Sequence, residues 1–165
     1  MSFRISAAIA LTALWVTATH AAEGPPGHTH GHESGDAAHG ATGTDGQPGK
    51  VSDVKRVVQV EAGDTTFNIR TIQVRAGETL KFVITNKSKI AHEFAIASPK
   101  ENAEHRDMMK QMPDMVHNEP NVVTLQPGET KEIIWKFGKD TDVEFACNIP
   151  GHYEGGMKGV FRVAR

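Results

Sequence analysis

Between residues 51 and 165 the chain breaks into short runs in which apolar and polar residues alternate, and this pattern limits the fold more than any other feature. Eight runs stand out: 54–60, 67–74, 79–85, 92–97, 122–125, 130–137, 143–147 and 159–163. Successive residues of a strand point to opposite faces, so each run can bury one face and wet the other. Two similar turns punctuate them, Val74-Arg-Ala-Gly77-Glu-Thr79 and Leu125-Gln-Pro127-Gly128-Glu-Thr130. Each has glycine where a tight turn needs positive φ. Seven or eight short strands in this length predict an all-β fold, a two-sheet antiparallel sandwich. One stretch departs from the alternation. Residues 99–111 are polar, charged and helix-compatible and stop before Pro113, which predicts a helical insertion at about 99–118.

The two segments upstream have different characters. Arg4 followed by an apolar run from Ile5 to Val16 and by Thr19-His20-Ala21 reads as a secretory signal peptide over 1–21. The run is too short for a stop-transfer helix, so no membrane insertion is expected after cleavage. Residues 22–50 contain no Val, Ile, Leu or Phe and are rich in Gly, Pro, Ala, Thr, Ser and His. They cannot bury enough apolar surface to offset chain entropy and read as a disordered tail. The third segment, 51–165, is the folded domain.

Charge excludes some partners. The chain carries 18 basic and 20 acidic residues and has no basic stripe, so nucleic acid is not an expected partner. An exported chain with a single cysteine has no internal disulfide to form.

That cysteine lies in Cys147-Asn-Ile-Pro-Gly-His152-Tyr-Glu-Gly-Gly-Met157, a C-x4-H-x4-M loop at the end of a strand. His92 opens another strand, in Ile90-Ala-His92-Glu-Phe94, and a sandwich can bring it alongside the loop. A buried structural thiol with incidental neighbours is the plain alternative. One thiolate, two imidazoles and one thioether are also the ligand set of a mononuclear type 1 copper site, where soft sulfur suits Cu(I) and imidazole suits both oxidation states. Zinc rarely accepts a thioether. One cysteine also excludes a binuclear centre with two bridging thiolates.

Two further regions carry copper-ligand residue types. His105, Met108, Met109 and Met112 fall on one helical face, followed by Met115 and His117. Either these methionines pack the insertion against the sandwich, or they form a Cu(I) site of thioethers, which form no disulfides in an oxidising compartment. In the tail, His28, His30, His32 and His39 either decorate a solvated spacer or capture metal weakly without a fold.

On His92, Cys147, His152 and Met157, the region 51–165 resembles the cupredoxin family. The resemblance implies a Greek-key β-sandwich, with His92, Cys147 and His152 in the trigonal plane around copper and Met157 on its axis. The added His-rich tail and Met-rich insertion resemble the periplasmic cupredoxin-like copper-tolerance proteins of proteobacteria, the CopI-like group. This implies a periplasmic protein that protects against excess copper by sequestration, by delivery to a multicopper oxidase or exporter, or by Cu(I) oxidation. The alternative is a soluble electron shuttle between periplasmic redox proteins, docking through an apolar edge of Ile149, Pro150 and Tyr153 near His152. A multicopper oxidase or nitrite reductase would need further copper centres and a second sandwich. Nothing in the sequence identifies a substrate, so no catalytic residue is assigned.

Overall fold

The computed structural model describes residues 46–139 and 142–164. The expected signal peptide and the tail histidines His28, His30, His32 and His39 lie outside the described residues. Among the described residues, ten strands form two sheets. They are β1 (Gly46–Pro48), β2 (Val54–Ala62), β3 (Thr71–Arg75), β4 (Thr79–Asn86), β5 (His92–Ala97), β6 (Asn118–Glu119), β7 (Val122–Leu125), β8 (Thr130–Phe137), β9 (Val143–Ala146) and β10 (Lys158–Ala164). One helix, α1 (Pro99–Gln111), stands between β5 and β6. The four-stranded sheet runs β1-β8-β4-β2 and the six-stranded sheet β3-β10-β9-β5-β7-β6.

Two features depart from the reading of the sequence. First, the sheets are mixed: β2 pairs with β4 in parallel, and β3 with β10. Between β2 and β4 the chain crosses into the other sheet as β3, so it returns to β4 already running in the direction of β2. Second, β1 falls inside the stretch read as disordered tail, yet it pairs antiparallel with β8 from Gly46 opposite Phe137 to Pro48 opposite Trp135. A Gly-Gln-Pro strand shows no hydrophobic alternation, so only the edge of β8 reveals it. Both expected tight turns are present, with Gly77 at φ 79° and Gly128 at φ 80°.

The core follows from the alternation. Val58, Val60 and Ala62 of β2, Leu80, Phe82 and Ile84 of β4, and Ile133, Trp135 and Phe137 of β8 face inward from one sheet. Ile72, Val74, Phe94, Ile96, Phe145 and Phe161 face them from the other. The aromatic rings interlock: Phe82 lies 5.9 Å from Phe94, and Phe94 stacks on Phe145 at 5.5 Å. Each such ring stabilises the fold by about 1.5–3 kcal/mol through burial.

Strands β5, β7 and β9 are buried along their whole length, not on alternate residues. For β5 and β9 the reason is α1, which lies against both, and for β7 it is the segment after the helix, where the N–H of His117 donates to Thr124 Oγ1. The helix starts where the sequence dictates. The Ser98 side chain accepts from the N–H of Glu101, the Glu101 carboxylate accepts from the N–H of Ser98, and Pro99 fits the first turn. It ends at Gln111, capped by Met112, which directly precedes Pro113.

Candidate metal centre

His92, Cys147, His152 and Met157 all sit where strands of the six-stranded sheet meet one end of the sandwich. His92 is the first residue of β5, Cys147 directly follows β9, and Met157 directly precedes β10. Backbone hydrogen bonds close the loop between the last two strands. The N–H of Cys147 donates to Met157 O at 3.0 Å, and the N–H of Met157 donates to His152 O at 2.9 Å. The N–H of His152 donates to Ile149 O at 3.0 Å, through the turn containing Pro150-Gly151.

The side chains of His92, Cys147 and His152 converge. One donor atom each from His92, Cys147 and His152 lies within 4.8 Å of the others. His152 Nδ1 is 3.3 Å from Cys147 Sγ and 3.3 Å from His92 Nδ1. Such mutual distances between two imidazole nitrogens and a sulfur suit three donors on one small ion, with Zn-like or Cu-like bonds of roughly 2.0–2.3 Å. Met157 is fully buried, and its backbone is tied to both Cys147 and His152.

The surroundings keep these groups in ligand form. His92 Nε2 is 2.8 Å from Ser88 Oγ, which leaves Nδ1 facing the site. Ser88 is itself anchored on Asn86, whose side chain also donates to the carbonyls of Ile90 and Leu125. Burial, and then the neighbouring His152, push the His92 pKa down to about 4. Burial lowers that of His152 as well. Both rings are therefore neutral at pH 7, with lone pairs available. Burial pushes the Cys147 thiol up to about 12, although the N–H of Glu93 donates to its sulfur at 3.3 Å. A cation is needed to displace that proton.

A second cluster lies on the other side of β5, beneath α1. Glu93, next to His92 but on the opposite face, is completely buried. His105 Nε2 is 3.0 Å from Glu93 Oε2, and Asn148 Nδ2 donates to Glu93 Oε1 at 3.0 Å. The rings of His105 and His117 are 4.7 Å apart between centroids. Asn102 of α1 donates to Glu144 at 3.1 Å and accepts from Asn148 at 2.9 Å. The helix is therefore held by buried polar contacts as well as by Met109.

Of the residues expected in a Met/His site, the structure brings together His105 and His117 and adds Glu93. The methionines do not share one environment. Met109 is buried, Met108 and Met115 are half-buried, and Met112 is 44% exposed. The face that points inward carries Asn102, His105 and Met109. Glu93, Ser88 and Asn148 fall outside the motif spacing that marked the other site residues. Glu93 did leave a signal, as a carboxylate inside the otherwise apolar run of β5. The expected apolar edge near His152 also differs. Ile149 packs on the core, and the Tyr153 ring is covered by Arg106 at 3.5 Å and Lys158 at 3.8 Å.

No helix among the described residues is long and apolar enough to cross a membrane. The model of copper binding proteins of the plastocyanin/azurin family matches residues 54–164. The chain is 41% identical over 155 residues to the copper-resistant cuproprotein CopI of Rubrivivax gelatinosus, covering 93% of this chain and 92% of that one. It is 43% identical over 115 residues to the copper-resistant cuproprotein CopI of Vibrio cholerae, covering 68% of each. The reduced auracyanin of Roseiflexus castenholzii is similar in structure with a TM-score of 0.57 at 23% identity, over 67% of this chain and 97% of that one. That likeness speaks to the fold. With the family model spanning both sheets and the whole Cys147–Met157 loop, this chain belongs to the copper-binding plastocyanin/azurin family, the cupredoxins.

Proposed function

We propose that this chain is an exported copper-tolerance protein that works in the periplasm, holding one type 1 copper between His92, Cys147, His152 and Met157. The observation that carries the reading is the 41% identity, over 93% of the chain, to a protein named as a copper-resistant cuproprotein. The convergence of His92, Cys147 and His152 supports the choice of ligands. His92, Cys147 and His152 would hold the ion through two imidazoles and a thiolate, with the Met157 thioether as a fourth donor.

Copper, when bound, supplies a one-electron Cu(I)/Cu(II) couple. The chain supplies the rest. Ser88 and Asn86 hold the His92 ring in one orientation. The Glu93 N–H donates to the Cys147 sulfur and offsets part of a thiolate's charge there. Strand ends and the backbone bonds of the loop keep the donors in place whichever oxidation state they meet. His152, the partly exposed member of the set, gives the route by which an electron or an ion reaches the site. The tail histidines and the exposed or half-buried Met108, Met112 and Met115 are read as additional copper capture. A multicopper oxidase, a copper exporter or a periplasmic redox protein is the expected partner class.

The second reading, a soluble electron-transfer protein, is favoured by one observation. Ile90, 46% exposed, and Pro150, also exposed, each lie two residues before a proposed histidine ligand. A deletion strain grown across a graded copper series separates the two. Copper sensitivity reversed by the wild-type gene is the expected result. Growth unaffected by copper would remove the tolerance reading and leave electron transfer. A Cys147→Ala complement that fails to restore growth would tie tolerance to the type 1 site.

A further inference from the structure

Glu93, His105 and His117 come from three separate elements, β5, α1 and the segment before β6, yet one donor atom from each lies within 4.8 Å of the others. From this geometry we infer a second metal site, distinct from the type 1 centre, that takes Cu(II) through two imidazoles and one carboxylate. A second observation points to a ligand. His117 is 5% exposed, and its Nε2 is buried with no hydrogen-bond partner. A buried ring nitrogen left unpaired costs free energy that a metal bond would recover.

The rest of the cluster fits such a site. His117 Nδ1 is 3.1 Å from Glu119 Oε1, a carboxylate–histidine pair of the kind that orients a metal-bound imidazole and strengthens it as a donor. Glu93 is held from behind by Asn148, and its Oε2 already faces His105 Nε2 at 3.0 Å. With the His105 proton on Nδ1, its Nε2 presents a lone pair on the same side as Glu93 Oε2. Two imidazoles and a carboxylate are a borderline-to-hard set that suits Cu(II) or Zn(II) and not Cu(I). Among divalent first-row ions Cu(II) binds such donors most tightly. The site therefore differs from the thioether site that the methionine spacing implied. It lies on the face of β5 opposite the type 1 donors, one residue along the chain from His92.

The test uses the full chain with His28, His30, His32 and His39 replaced by alanine, so that the tail does not bind the probe. The probe is Cu(II) alone, added in excess and followed by removal of loosely held ion. Metal content and electron paramagnetic resonance give the readout. The expected result is two Cu(II) per chain, the second with the wide hyperfine splitting and nitrogen couplings of an ordinary tetragonal site. His117→Ala and His105→Gln should each remove that second signal, while the type 1 charge-transfer absorption persists and shows that the fold is intact. The inference is overturned if the parent holds a single Cu(II), or if both variants keep the second signal at full strength. Retention of Zn(II) in place of Cu(II) from an equimolar mixture would overturn the assignment to copper. The type 1 reading has its own readout in the absorption band, so the two can fail separately.

Discussion

A thiol pushed up to about 12 by burial neither ionises nor reacts readily at neutral pH. Cys147 is thus protected from oxidation until a metal displaces its proton. The adjacent imidazoles have the opposite tendency, since burial keeps His92 neutral down to about pH 4. What remains is to aim them, and for His92 that falls to Ser88 at 2.8 Å. Ser88→Ala should weaken copper binding by roughly 10–100-fold, the usual effect of losing such an orienting partner. Competition against a chelator of known affinity measures this, and an unchanged affinity would sink the role given to Ser88. Unfolding should shift as well, by roughly 1–3 kcal/mol, because the hydroxyl bonds both Asn86 and His92 and its loss leaves the buried His92 Nε2 unpaired. The proposed ligands were legible because three of them fall at equal spacing in one loop and the fourth starts a strand. Ser88 was not, since a loop hydroxyl four residues ahead of its partner leaves no periodic trace.

Helix α1 is an insertion with little apolar surface to bury, and its start depends on local chemistry. The reciprocal bonds of Ser98 and Glu101 satisfy two otherwise free N–H groups. Ser98→Ala should cost about 1 kcal/mol. Amide exchange in residues 99–105 should speed up relative to that of β4; equal protection in both would count against the cap. The bounds of α1 were legible because Ser-Pro-x-Glu and the later Pro113 are start and stop signals. The face it buries was not, because Asn102 and His105 are polar residues that only Glu93, Glu144 and Asn148 on the sheet make sense of. A second element-scale constraint lies in β10. A Cβ at Gly159 would stand 2.1 Å from Phe145 Cζ and 2.7 Å from Arg70 O. The backbone oxygen has little room to yield, so Gly159→Ala should destabilise by about 2–3 kcal/mol, within the usual cost of overpacking. Urea unfolding would report it, and a change under half that size would mean that β9 and β10 can separate more easily than their pairing implies.

Among the described residues the proposed type 1 donors gather at one end of the sandwich, and the other end serves to join the sheets. The alternating runs made the two-layer architecture legible. The parallel pairs were not, because they depend on which sheet β3 joins, and alternation does not carry that information. At the far end, Arg56 of β2 donates to Glu78 at 3.0 Å and also to Gln73 O of β3, linking the four-stranded sheet to the six-stranded one. The N–H of Arg75 donates to Glu78 at 2.8 Å. Burial alone would raise the Glu78 pKa. The Arg56 hydrogen bond, the Arg75 N–H and the charges of both arginines outweigh it and hold the carboxyl below its ordinary value. A carboxyl depressed in the folded state adds stability above its unfolded pKa, and that stability is lost as pH falls through the folded one. Glu78→Gln should therefore lower stability at pH 7 by about 1 kcal/mol or less, the scale of a partly exposed ion pair. The gap from wild type should close as pH falls below the ordinary glutamate range and through the lowered pKa of the folded state, where the wild-type carboxyl gains its proton. Urea titrations of both proteins across pH 3–7 give the comparison, and a gap that stays constant would show that Glu78 acts through its hydrogen bonds and not its charge. Because the link lies at the end remote from Cys147, the type 1 absorption of the variant at pH 7 should match that of wild type.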